Sequence, residues 1–209
     1  MTVNKSFPLQ HNEIPDLNYD IYISTGGPGS PLLTGAAWEK NWHRLIDKLW
    51  RHNQCQDVKK HVFFICHSFQ MACQHFGLGE LTRRRSTSFG IFPVHKTQEG
   101  IHDPLLETLH DPFWAVDSRD WQVVQPDLRA FDKFGAQLLA LEKIRDHVDY
   151  ERAIMAIRFS DEFFGTQDFG HLAGDDIGID VVGLAIGLVV ADGGNHGDEL
   201  VVLQGLDHG

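Results

Sequence analysis

The sequence predicts an α/β protein: a doubly wound, mostly parallel sheet flanked by helices in three layers, with a small antiparallel extension. Three observations carry this prediction. Apolar, β-rich runs at residues 19–24 (YDIYIS) and 61–65 (HVFFI) read as buried strands. Each is followed by residues at helical spacing, and the two strand-to-helix joints hold a glycine-rich loop in one case and a cysteine in the other.

In chain order, the first strand runs into Thr25-Gly26-Gly27-Pro28-Gly29-Ser30-Pro31, a stretch that must turn. Trp38, Trp42, Leu45, Ile46, Leu49 and Trp50 then recur at helical spacing and read as core rather than as a partner surface. After the second strand, Cys66 stands at the junction with a helix over residues 68–76. Further on, strands are expected at 86–95, 113–116, 122–124 and 163–167, with a short helix at 104–110. Residues 137–141 and 153–159 are expected to pair as neighbouring strands. The Arg83-Arg84-Arg85 triplet reads as a solvated strand entry.

A chain of 209 residues fits one domain, taken here as 1–209. Its net charge of −11 argues against a protein that grips nucleic acid or an anionic membrane surface. Three cysteines without disulfide-like spacing, and an N-terminus without a signal-peptide pattern, point to a reducing cytoplasm. The apolar stretch at 181–191 is broken by glycines and shorter than the roughly 20 residues of a membrane helix.

The chemistry centres on Cys66. A cysteine between a buried strand and a helix sits on a sharp turn that exposes the thiol and aims the helix's unbonded N–H groups at it. Such dipoles favour thiolate, and the same amides can hold the oxyanion of a tetrahedral intermediate. The alternative is a small buried hydrophobe. The loop Gly26-Gly27-Pro28-Gly29 permits close backbone approach to a ligand, or serves only to turn the chain.

Together ISTGGPGSP and FFICHSFQ resemble the two signature segments of class I glutamine amidotransferase domains, especially the glutaminase part of GMP synthetase. The resemblance implies a flavodoxin-like fold and a nucleophile at Cys66 that attacks the side-chain amide of glutamine. It implies oxyanion donors at Gly27 and His67, and substrate contacts from Gly29 and Gln70. FWAVDSRDWQVV resembles the family's strand edge that meets the α-amino and carboxylate groups of glutamine, which brings in Ser118 and Trp121. The implied partners are glutamine and an ammonia-accepting synthetase subunit, with no cofactor.

This chain departs from the family pattern in three places. Phe64 and Ser68 replace two glycines of the G-x-C-x-G-x-Q segment, although Cys66 and Gln70 match it. Gly165-Thr166-Gln167 opens like G-x-Q-x-H-P-E, but Asp168-Phe169-Gly170-His171 follows, leaving His171 as the candidate base with Asp175 or Asp176 to orient it. No strong apolar run precedes Tyr19, so the family's first strand–helix unit reads as missing, and a partner or a homo-oligomer would be needed to cover the exposed strand edge.

From Asp168 onward the chain carries eight acidic residues, ten glycines and no Lys or Arg. This tail reads either as a foreign or frame-shifted segment or as a strand-like extension through VVGLAIGLVV and ELVVLQG. His171, His196 and His208 match no tight metal-ligand spacing, so no metal is expected. Two rivals to a glutaminase remain. One is a noncatalytic relative that binds glutamine or a regulatory partner; the other is a different cysteine hydrolase that takes its base from His95 or His171.

Overall fold

The computed structural model describes residues 2–27, 30–142, 151–167 and 199–204. Nine strands form one sheet in the order β1-β9-β2-β3-β8-β7-β6-β4-β5. They are β1 (Thr2–Pro8), β2 (Ile21–Ser24), β3 (His61–Ile65), β4 (Glu80–Lys96), β5 (Phe113–Val124), β6 (Gln137–Glu142), β7 (Ile154–Arg158), β8 (Phe163–Thr166) and β9 (Glu199–Gln204). The helices are α1 (Ala37–Cys55), α2 (His67–Phe76), α3 (Gln98–His102) and α4 (Leu128–Phe134).

The α/β class stands, and the pairing is mixed. Parallel pairing is confined to β2–β3–β8, with Ser24 opposite Phe64 and Phe64 opposite Gly165. Every other strand pair is antiparallel, so the antiparallel part is much larger than a small extension. The parallel strands are the apolar runs that bury both faces, as parallel strands must. One face meets α1, α2 and α4 through Tyr22, Trp42, Ile46, Phe64, Phe69 and Phe163. The other face packs Ile23, Ile65, Met155 and Phe164 against Leu106 and Leu109.

Helix α1 forms where its apolar stripe is expected, with Trp42, Leu45, Ile46 and Leu49 buried. Its start is fixed by Glu39, whose carboxylate accepts from the N–H groups of Thr34, Gly35 and Ala36 and from the Thr34 hydroxyl. Burial works against this charge, but those hydrogen bonds prevail and hold the carboxyl below its ordinary range.

The structure corrects several expectations. Residues 2–8 form an edge strand that pairs with β9, and β9 in turn covers β2 (Ile21 opposite Leu203, Ser24 opposite Leu200). The edge of β2 is therefore covered from within the chain. Residues 104–108 are turns rather than a helix: Asp103 is committed to Arg158 through both carboxylate oxygens at 2.5 and 2.8 Å and to the Leu105 N–H at 2.9 Å. The runs at 113–116 and 122–124 belong to one strand, β5. Arg84 is not solvated; it pairs with Glu142 at 3.1 Å and donates to Gln122 at 2.7 Å. The VVGLAIGLVV stretch lies outside the described residues, whereas ELVVLQ is β9.

Candidate active site

Cys66 occupies the turn between β3 and α2 with φ 53° and ψ −109°. A non-glycine residue at positive φ is strained by about 1–3 kcal/mol and persists only where its surroundings over-determine it. Here they do. The Cys66 N–H donates to the Thr166 carbonyl at 2.9 Å, and the Cys66 carbonyl accepts from Gln70 N–H at 3.0 Å to open the helix. His67 is the first helical residue, and first-turn N–H groups have no carbonyl acceptor within their own helix.

The two replaced glycines are accommodated by different means. Phe64 is fully buried and turns away from the thiol into an aromatic cluster with Trp42, Phe159 and Phe163, at ring separations of 5.9, 5.5 and 6.0 Å. Its strand neighbour Gly165 leaves the room: a Cβ there would come within 3.2 Å of the Phe64 Cβ and 2.7 Å of Phe69. The Ser68 hydroxyl accepts from Ile65 N–H at 2.9 Å, lies 3.1 Å from the Ile65 carbonyl and donates to the Ser24 carbonyl. It therefore ties the ends of β2 and β3 together beneath the helix.

Gly26 brings the glycine loop against the thiol. A Cβ at Gly26 would lie 2.9 Å from the Cys66 Cβ and 3.6 Å from Sγ, so any side chain would push the loop away. Beside them is a cleft of about 220 Å³ lined by Gly27, Cys66, His67, Gln70, Thr87, Ser118, Arg119, Asp120 and Trp121. It thus brings together six of the residues named from the sequence: Gly27, Cys66, His67, Gln70, Ser118 and Trp121. Gly29 and His171 lie outside the described residues, as do Asp175 and Asp176. His67 is the one histidine among the described lining residues, and His95 instead pairs with Asp111 at 3.5 Å.

Sequence reasoning did not single out Gln167 as a site residue. It is fully buried at the end of β8, with its N–H donating to the Met155 carbonyl at 2.8 Å and its side-chain Nε2 3.9 Å from Cys66 Sγ. Gln70 Nε2 reaches both the Trp121 carbonyl at 3.2 Å and Gln167 Oε1 at 3.0 Å. Under the β5 edge a second network was also missed. Buried Arg119 pairs with Asp117 at 3.2 Å and Glu142 at 3.6 Å, and Ser88 donates to Asp117 at 2.5 Å. These links fix the strand on which Ser118 and Trp121 stand.

The remaining cysteines differ from Cys66. Cys55 is exposed on α1, and Cys73 is buried within α2, where burial pushes its thiol well above the ordinary range. Among the described residues, no group of three or more His, Cys, Asp or Glu side chains is placed to hold a metal ion, and no helix is long and apolar enough to cross a membrane.

No family model matches the sequence, and no curated protein matches it. Solved structures match its shape. A glutamine amidotransferase from Thermotoga maritima has a TM-score of 0.59 at 13% identity, over 78% of this chain and 62% of that one. A GMP synthase component from Thermoplasma acidophilum has a TM-score of 0.50 at 16% identity, over 71% and 62%. The Trypanosoma brucei CTPS glutaminase domain with bound acivicin has a TM-score of 0.50 at 10% identity, again over 71% and 62%. The chain spans about 62% of the length of each of these structures. At these identities the likeness is one of architecture, and the chain has the fold of class I glutamine amidotransferase domains.

Proposed function

We propose that the protein hydrolyses the side-chain amide of glutamine through a thioester at Cys66 and passes the ammonia to a synthetase partner. The observation that carries this reading is the strained Cys66 turn at the N-terminus of α2, pressed against Gly26 and opening on a cleft that also holds Gln70, Ser118 and Trp121. A volume of about 220 Å³ is below the roughly 300–1,000 Å³ of pockets for drug-sized ligands, and suits a single amino acid.

In this mechanism the Cys66 thiolate adds to the glutamine amide carbon. The N–H groups of Gly27 and His67 hold the oxyanion. The C–N bond breaks, ammonia leaves with a proton from a general acid, and water then cleaves the glutamyl thioester to glutamate and free thiol. Gln70, Ser118, Trp121 and Gly29 hold the amino-acid end, and His171 serves as the acid and base. The reaction requires a reduced thiol, as a cytoplasmic setting provides.

A second reading is favoured by one specific observation: no His-Pro-Glu follows Gln167. A chain without a base binds glutamine, or serves as a regulatory domain, and loses the roughly 100- to 10,000-fold contribution of acid–base catalysis. Labelling with a glutamine-mimicking electrophile, followed by peptide mapping, tests the shared premise. Modification at Cys66 that excess glutamine blocks supports both readings. Modification that glutamine does not slow removes glutamine as the ligand.

A further inference from the structure

We infer that Gln167 is a second catalytic residue, whose side-chain amide donates a hydrogen bond to the Cys66 sulfur and holds it as the reactive anion. The inference rests on the glutaminase reading for the reaction it serves, but its geometry stands on its own. The Gln70 amide nitrogen carries two protons and meets two acceptors, the Trp121 carbonyl at 3.2 Å and Gln167 Oε1 at 3.0 Å. Because Oε1 of Gln167 faces Gln70, its Nε2 must face the other way, and there it lies 3.9 Å from Cys66 Sγ. Rotating the Gln167 amide would set two NH₂ groups against each other and a carbonyl oxygen against sulfur, so the orientation is fixed by donor and acceptor matching.

Gln167 has no exposed surface, and its own N–H is held by the Met155 carbonyl, so its side chain has no solvent to turn toward. An N–H group aimed at sulfur in such a place favours thiolate over thiol, and the contact tightens as the charge develops. Gln70 acts through Gln167 and is a positioning residue. Its bond to Trp121 links the orientation of the donor to β5, the strand that borders the cleft.

The test is the pH dependence of Cys66 alkylation by iodoacetamide, measured in a Cys55→Ser background with Cys66→Ala as the blank. Gln167→Leu removes the donor, and the rate at pH 7 falls about tenfold, the scale of a hydrogen bond to a charged group. Gln167→Glu keeps the shape but turns a carboxylate toward sulfur, which displaces the alkylation profile to higher pH than in either other protein. Gln70→Leu gives a smaller displacement in the same direction. Should Gln167→Leu fail to fold, the isosteric Gln167→Glu protein decides. Profiles for wild type and Gln167→Glu that coincide overturn the inference. Ammonia release without any displacement removes this role and leaves the glutaminase reading, whereas displacement without ammonia release does the reverse.

Discussion

Replacing Ser68 by alanine removes one oxygen that serves several main-chain groups. The hydroxyl accepts from Ile65 N–H at 2.9 Å and donates to the Ser24 carbonyl, with the Ile65 carbonyl 3.1 Å away as a competing acceptor. Ser24 and Ile65 are fully buried, and Ser68 is 1% exposed. The alanine methyl fills the space of the Cβ and leaves no site for water, so Ile65 N–H and the Ser24 carbonyl both lose this partner. At about 1–3 kcal/mol for each unsatisfied buried group, the expected loss is about 2–4 kcal/mol. Urea unfolding reads this directly: with a slope of about 1–3 kcal/mol per molar, the midpoint falls by roughly 1–2 M. Ser68→Gly opens a space that one water can occupy with the same neighbours. Its loss is then mainly the helix propensity of glycine, about 1 kcal/mol. A loss below about 0.5 kcal/mol for the alanine variant refutes the reasoning. It would mean that β2 and β3 close up and pair without the hydroxyl.

Other perturbations follow from the same structure. Phe64→Ala empties the centre of the cluster formed with Trp42, Phe159 and Phe163 and is expected to cost about 3–5 kcal/mol in the same urea assay. Gly165→Ala drives a methyl into Phe69, Phe159 and Phe64 and is expected to cost about 1–3 kcal/mol. Gly26→Ala, whose Cβ would press on the Cys66 Cβ, is expected to slow Cys66 alkylation more than it lowers stability. His43 Nδ1 lies 2.9 Å from His75 Nδ1, and His75 pairs with Asp47 at 3.2 Å. Burial, reinforced by His75 and opposed by Asp47 and Glu39, lowers His43 to about 4, and burial lowers His75 as well. The unfolded chain therefore takes up protons that the folded one refuses. The His43 contribution is complete above about pH 6.5 and is lost toward pH 4, by at most about 1.4 kcal/mol per unit. Urea midpoints at pH 7, 5.5 and 4.5 should fall less steeply for His43→Phe than for wild type.

The parts of the fold legible in the sequence are those fixed by local pattern. The HVFFI run gives the bounds of β3, the tryptophan and leucine spacing gives α1, and Cys66 stands at the joint where a thiol would be exposed. The glycine loop was legible as a loop, but not its contact with the thiol, which depends on parallel pairing of β2 and β3. What the pattern missed depends on distant partners. Residues 2–8 have weak strand character and become β1 by pairing with β9 near the other end of the chain. Arg84 looks solvated within its basic triplet until β4 and β6 bring Glu142 to it. Gln167 was visible only as part of a motif, since its contact with sulfur requires β8 beside β3. Helix α4 did leave a local signal, Asp127 as N-cap and Gly135 as C-cap, but its seven residues are too few for a clear apolar stripe.

The central claim is that Cys66 is the nucleophile for glutamine, and ammonia release from glutamine by the wild-type and Cys66→Ala proteins tests it most directly. The account predicts ammonia release in proportion to wild-type enzyme and none above the blank for Cys66→Ala. Equal release by both proteins, or none from wild type even with an ammonia-accepting synthetase partner present, would contradict it.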